Sequence, residues 1–211
     1  MSTHHRVALA TAVATVVLVV VDLVVSLVTG ERTVITDDTQ GPAAAGALMS
    51  VWLGLTFAAL AAVVRGERAA FAAAPRAARW VRRPLLVGLV ALAVGLTVVN
   101  PVQLLAGIDS GTFYDASGLV ALLCLLAVFV SVLVLGLALL RRNPLGIGGR
   151  ILALVGPVIG ATVLLAVVAP DLASPVFVTA TVVLGIATLG LRPASSAAAA
   201  DPEGAGERQP V

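Results

Sequence analysis

Lysine is absent from these 211 residues, cysteine occurs once and histidine twice. Charged residues make up 11% of the chain and aromatic residues 4%. Each shortage removes a class of protein. With Cys124 alone, neither an intramolecular disulfide nor a redox pair of thiols can form. His4 and His5 stand side by side in a tail next to Arg6, so no metal site and no cofactor is expected. No H-E-x-x-H metal motif, G-x-S-x-G elbow or phosphate-binding loop occurs. The segment Gly146-Ile147-Gly148-Gly149-Arg150 lacks the last glycine of a dinucleotide loop and follows a membrane helix, not a strand. Enzymatic activity is therefore not expected. The scarcity of charge also excludes a nucleic-acid-binding module and a disordered chain.

What fills the space is hydrocarbon. Hydrophobic residues are 60% of the chain and the mean hydropathy is +1.10, where soluble domains are about 45–50% apolar and about 25% charged. The class this defines is an all-α, polytopic integral membrane bundle. A bilayer core of about 30 Å needs about 20 apolar residues in a helix. Six stretches meet that demand: 7–29, 44–64, 84–107, 118–140, 151–169 and 175–191. The last is the shortest. Pro170 and Pro175 bound the connection between the final two, which reads as a tight hairpin. One re-entrant segment over 151–191 is the alternative. The first stretch outruns the apolar core of a signal peptide and has no A-x-A-like site, so it is expected to stay as a span.

The arginines set the orientation. Arg6 lies in the tail 1–6. Arg65, Arg68, Arg76, Arg79, Arg82 and Arg83 lie between spans two and three, and Arg141, Arg142 and Arg150 between spans four and five. Arg192 and Arg208 follow the last span, and Arg32 alone falls on the opposite side. The alternation holds through six spans and puts both termini in the cytoplasm. The opposite loops carry Glu31, Asp37, Asp38, Asp109, Asp115 and Asp171. Residues 36–41 have a passing likeness to a calcium loop but lack its alternating ligands, and read as a solvated turn. The tail 192–211 is rich in Pro, Ala, Ser, Gly and Glu and is expected to be disordered. Arginine without lysine, with an Ala, Val and Gly bias, suggests a GC-rich bacterial genome, and so a bacterial plasma (inner) membrane.

Segment 65–83 is alanine-rich and expected to form a short interfacial helix broken near Pro75. Phe71, Trp80 and Val81 would dip among the headgroups. The six arginines are candidate contacts for anionic lipid at the cytoplasmic face, worth about 1 kcal/mol each near the surface.

Two polar features fall inside the spans. Asp22 sits past the middle of the first, where a carboxylate costs roughly 2.5–3.5 kcal/mol. Thr11, Thr15, Asp22, Ser26 and Thr29 share about 60° of that helix's surface, a face expected to turn inward. Asn100-Pro101-Val102-Gln103 breaks the third span, and its amides are placed either to satisfy freed carbonyls or to bind a solute. Asp22, Ser26, Thr15, Asn100 and Gln103 are thus the candidate intramembrane polar site. Small residues mark packing faces: Gly46, Ser50, Gly54 and Ala58 in span two, Gly156 and Gly160 in span five, and Thr181, Gly185 and Thr188 in span six. Packing within the chain is expected ahead of a homo-oligomer, and Cys124 is expected to serve as a small packing residue. The function these features favour is a non-enzymatic subunit or accessory factor of a membrane complex. The alternative is a small proton- or cation-coupled transporter or channel using Asp22.

Overall fold

The computed structural model of the chain describes residues 3–30, 42–140, 143–168 and 176–191. Every regular element among the described residues is helical. The helices are α1 (Thr3–Thr29), α2 (Ala43–Gly66), α3 (Arg68–Ala72), α4 (Arg76–Val94), α5 (Asn100–Ala106), α6 (Thr112–Leu139), α7 (Gly146–Ala153), α8 (Val155–Val168) and α9 (Val176–Ala187). A π-helical turn, Gly95–Val99, joins α4 to α5 without a break.

Helix is not what local propensity alone would choose for α1. It holds ten valines, five of them in the run Val16-Val17-Leu18-Val19-Val20-Val21, and β-branching disfavours helix in water. In hydrocarbon each unpaired backbone amide costs several kcal/mol, and a helix is the one local structure that pairs them all. The solvent overrides the side chains.

Among the described residues, five helices are long and apolar enough to cross a bilayer: Thr3–Thr29, Ala43–Gly66, Arg76–Ala106, Thr112–Leu139 and Gly146–Val168. The expected sixth, α9, has 12 residues, about 18 Å at 1.5 Å per residue. Residues 169–175, with the expected proline hairpin, lie outside the described residues, as do the loop 31–41 and the tail 192–211.

The helices overrun their apolar cores. α1 begins at Thr3 and takes in most of the expected tail 1–6. The third begins at Arg76, so the arginine stretch 76–83 is the first two turns of a helix long and apolar enough to cross a bilayer, not a separate helix of its own. The expected break near Pro75 does fall there. α6 begins at Thr112, after Gly111 (φ 98°), with Asp115 in its first turn where a carboxylate favours a helix N-terminus. An apolar window cannot see such polar ends.

α1 packs between α2 and α9, α2 on α4, α4 on α6, α6 on α7 and α7 on α9, which closes a ring. Lipid tails are as apolar as leucine, so what holds such a ring is close packing and polar ties. Glycines make the closest approaches. A Cβ on Gly148 would strike the carbonyl of Gly185 and the backbone of Leu189, and one on Gly136 would strike the carbonyl of Leu152. A Cβ on Gly88 would lie 3.1 Å from the carbonyl of Cys124, whose half-buried thiol belongs to this α4–α6 seam. Within Gly146–Arg150, Gly146 and Gly148 thus meet the backbone at the end of α9, and Gly149 meets the Asn143 side chain.

Other small residues depart from expectation. Ala58 is exposed, although Gly46, Ser50 and Gly54 are buried as a face. Gly156 and Gly160 have nothing within 4 Å of where a Cβ would stand, because α8 diverges from the ring and α6 and α9 touch it only in part. Thr181 and Thr188 donate to carbonyls of their own helix, Phe177 and Leu184, at 2.7 Å each. Neither hydroxyl bonds across helices, although the Thr188 carbonyl accepts from Gly148 N at 3.2 Å.

The two ends of the described chain meet. His5 Nε2 donates to the carbonyl of Leu189 at 2.9 Å. Gly190 N donates to Leu145 O at 2.9 Å and Ile147 N to Leu191 O at 2.8 Å. The starts of α1, α4 and α7 and the ends of α2, α6 and α9 therefore share one end of the bundle, the end with Arg6, Arg65, Arg68, Arg76, Arg79, Arg82, Arg83 and Arg150. Asp109 and Asp115 lie at the other, in and after the α5–α6 turn.

Candidate functional site

The inward face of α1 is real but is divided among different tasks. Thr15 and Asp22 are buried, 2% and 1% exposed, while Ser26 and Thr11 are half-buried and Thr29 exposed. Thr11 donates to Val7 O and Ala8 O at 3.1 Å, and Thr29 to Val25 O at 2.8 Å, all within α1. Thr15 reaches across. Its hydroxyl shares a hydrogen bond with Thr56 Oγ1 at 3.1 Å and accepts one from Trp52 Nε1 at 3.1 Å. Three residues from two helices form one buried knot.

Seven residues separate Thr15 from Asp22, about 10 Å along the axis. The same count down antiparallel α2 from Thr56 arrives at Met49, next to Ser50. Asp22 is therefore level with a second polar tie. Ser50 Oγ donates to Leu96 O at 2.8 Å and accepts from Asn100 Nδ2 at 3.0 Å.

Pro101 explains this tie. In the π register each N–H bonds five residues back, as Asn100 N does to Gly95 O. The next bond would run from residue 101 to Leu96 O, and proline has no N–H to give. Ser50 supplies the missing donor from the neighbouring helix, and Asn100 orients Ser50. Gly54, one turn along α2, lets the helices close: a Cβ there would lie 2.9 Å from Thr97 N. The predicted break of the third span is in this way a repaired π turn in an unbroken helix.

Gln103 does not join Asn100. Its side chain is buried and donates to Ser117 Oγ at 2.8 Å, tying α5 to the start of α6. Its carbonyl takes the N–H of Ile108, in the turn that Gly107 makes at φ 65°. Of the five polar candidates, Thr15, Asn100 and Gln103 therefore fall in three separate ties at different heights. Ser50, Trp52, Thr56 and Ser117 are the partners that sequence reading did not assign. Their pairing depends on helix register, which no local pattern encodes.

The arginines also divide. Arg82 is half-buried. Its Nε donates to Val64 O and its Nη2 to Arg65 O, both at 3.2 Å, and its guanidinium lies 5.9 Å from the centre of the Phe71 ring. It caps the end of α2, where carbonyls lack helical donors. Phe71 is 1% exposed and so lies in the core beneath Arg82, not among headgroups. Trp80 is 71% exposed, and Arg65, Arg68, Arg76, Arg79 and Arg83 are exposed as well.

His5, expected to lie in a flexible tail, is buried in the first turn of α1. Its Nε2 is 3.4 Å from Glu67 Oε1 as well as bonded to Leu189 O. Glu67 in turn fills the space over Gly190, whose φ of 80° and lack of a Cβ admit the carboxylate. Among the described residues no group of three or more His, Cys, Asp or Glu side chains is placed to hold a metal ion. The calcium-like stretch 36–41 is outside the described residues.

Compared with protein-family models, curated proteins and solved structures, the chain matches none. The regular elements among its described residues are all helical, and several are apolar helices compatible with a membrane protein.

Proposed function

We propose that the chain is a non-enzymatic multi-pass protein of a bacterial plasma membrane, crossing it six times with both ends in the cytoplasm. It serves as a subunit or accessory factor of a larger membrane assembly. One observation carries the reading. α8 and the first half of α6 expose apolar residues around nearly their whole circumference, and Gly156 and Gly160 leave an unfilled groove on α8. A spaced pair of glycines lets another helix approach closely. In this molecule no described helix uses the pair.

Purification in mild detergent and in nanodiscs tests it. A stoichiometric membrane partner, or a second copy, is expected and should be lost in Gly156→Leu/Gly160→Leu. That variant has room for its new side chains, so the fold should survive. Recovery of the wild-type chain alone and monomeric rejects the reading.

The second reading is a small proton- or cation-coupled transporter or channel. Its support is a carboxylate, Asp22, buried within a spanning helix and level with the Ser50–Asn100 tie. Such residues are rare in spans and mark ion pathways. Asp22→Asn should then abolish a pH-dependent flux in reconstituted vesicles while helical content is kept. Unchanged flux sinks it.

A further inference from the structure

We infer that one face of the first two turns of α4, formed by Arg76, Arg79, Trp80 and Arg83, is a binding surface for the headgroups of anionic phospholipid. At 100° per residue these four side chains fall within about 100° of arc. All four are exposed. Arg82 projects outside that arc and is committed to Val64 O, Arg65 O and the Phe71 ring. Of the arginines on α4, three face outward and one locks the fold.

The spacing matches a membrane boundary. Arg76 to Arg83 covers about 10 Å of helix axis, close to the ~5–8 Å headgroup layer on one side of a bilayer. From Pro84 to Ala106 the chain carries no charge. Arg83 and Trp80 therefore stand at the hydrocarbon edge, with Arg76 and Arg79 a turn or more further out. Tryptophan prefers that edge because its ring is apolar and its N–H is not. Guanidinium groups take phosphate oxygens two at a time.

The described residues offer these arginines little counter-charge. Among the described residues none of the three forms a salt bridge, and Glu67, the nearest acid in sequence, is turned to His5. A uniformly cationic face beside an exposed indole at the edge of an apolar run fits a lipid surface better than an acidic protein. Lipid binding here needs the helix to cross a bilayer. It does not need a protein partner, so loss of the subunit reading leaves it standing.

The chain has two tryptophans, which gives a direct test. In a Trp52→Phe background, Trp80 alone fluoresces. The protein is reconstituted in vesicles that mix phosphatidylcholine and phosphatidylglycerol, with one or the other brominated as quencher. Brominated phosphatidylglycerol should quench Trp80 beyond its mole fraction, and its phosphatidylcholine counterpart below it. Each arginine favours the anionic headgroup by about fivefold, and Arg76→Gln/Arg79→Gln/Arg83→Gln should bring quenching by the two to parity. Arg82→Gln should leave the preference unchanged. Native mass spectrometry of the unmodified protein gives a second readout: retained phosphatidylglycerol, absent in the triple variant. Equal quenching in the parent, or a preference that survives the triple variant, overturns the inference. So does a face indifferent to lipid charge that binds an acidic polypeptide instead.

Discussion

The end of the bundle that holds His5, Glu67, Arg82 and Leu189 is knotted across five helices, whereas α8 stands nearly alone. α8 contains no charged residue and is among the most hydrophobic segments of the chain, yet Val155 is its one buried residue. The difference lies in polar ties and in glycines that meet a neighbouring backbone. Hydrophobicity puts a helix into lipid and gives it no reason to leave lipid for another helix. Contact comes from what lipid cannot offer: a donor for a stray carbonyl, or a groove that backbone fills.

Glycines in the two regions give the largest contrast. Gly148→Leu should destabilise the protein by about 3 kcal/mol or more, because its Cβ meets backbone that cannot swing aside. Gly160→Leu meets open space and should leave the unfolding midpoint of the detergent-solubilised monomer unchanged. Equal effects would erase the comparison.

The Ser50 tie sharpens it. Ser50→Ala should cost about 1–2 kcal/mol, the penalty of leaving Leu96 O without a donor. In a Pro101→Ala background residue 101 regains an N–H, and the same Ser50→Ala change should cost less than half as much. A double-mutant cycle by chemical unfolding reads the coupling, and additive costs would break the account of the π turn.

Arg82→Gln should follow at about 1 kcal/mol, through lost carbonyl bonds and the ring contact. Smallest is Thr15→Val, about 0.6 kcal/mol, the usual size of a hydrogen bond between membrane helices. A reversed order of these two would shift weight from the arginine end to the middle of the bundle.

The broad design was legible in the sequence because it is written in composition. Runs of Val, Leu and Ala mark the helices, and the arginines among the described residues cluster at one end as their spacing along the chain requires. The finer design was not. Phe71 reads as an interfacial aromatic until Arg82 is seen lying over it, and two residues eleven apart give no sign of that stacking. Asn100 and Gln103 look like one site, yet register sends one to Ser50 and the other to Ser117. His5 looked like tail, and only the return of the chain at Leu189 gives it a carbonyl to hold. Gly156 and Gly160 carry a packing pattern that no other described segment uses.

The proposed membrane placement is tested most directly by cysteine accessibility. With Cys124→Ser as background, single cysteines replace Ala73, between α3 and α4, Ser110, between α5 and α6, and Ala198 in the tail. In intact cells an impermeant maleimide should label position 110 alone, and positions 73 and 198 only after the membrane is opened. Labelling of 73 and 110 from one side, or of 198 together with 110, would contradict a chain whose arginine-rich end and both termini share the inner face.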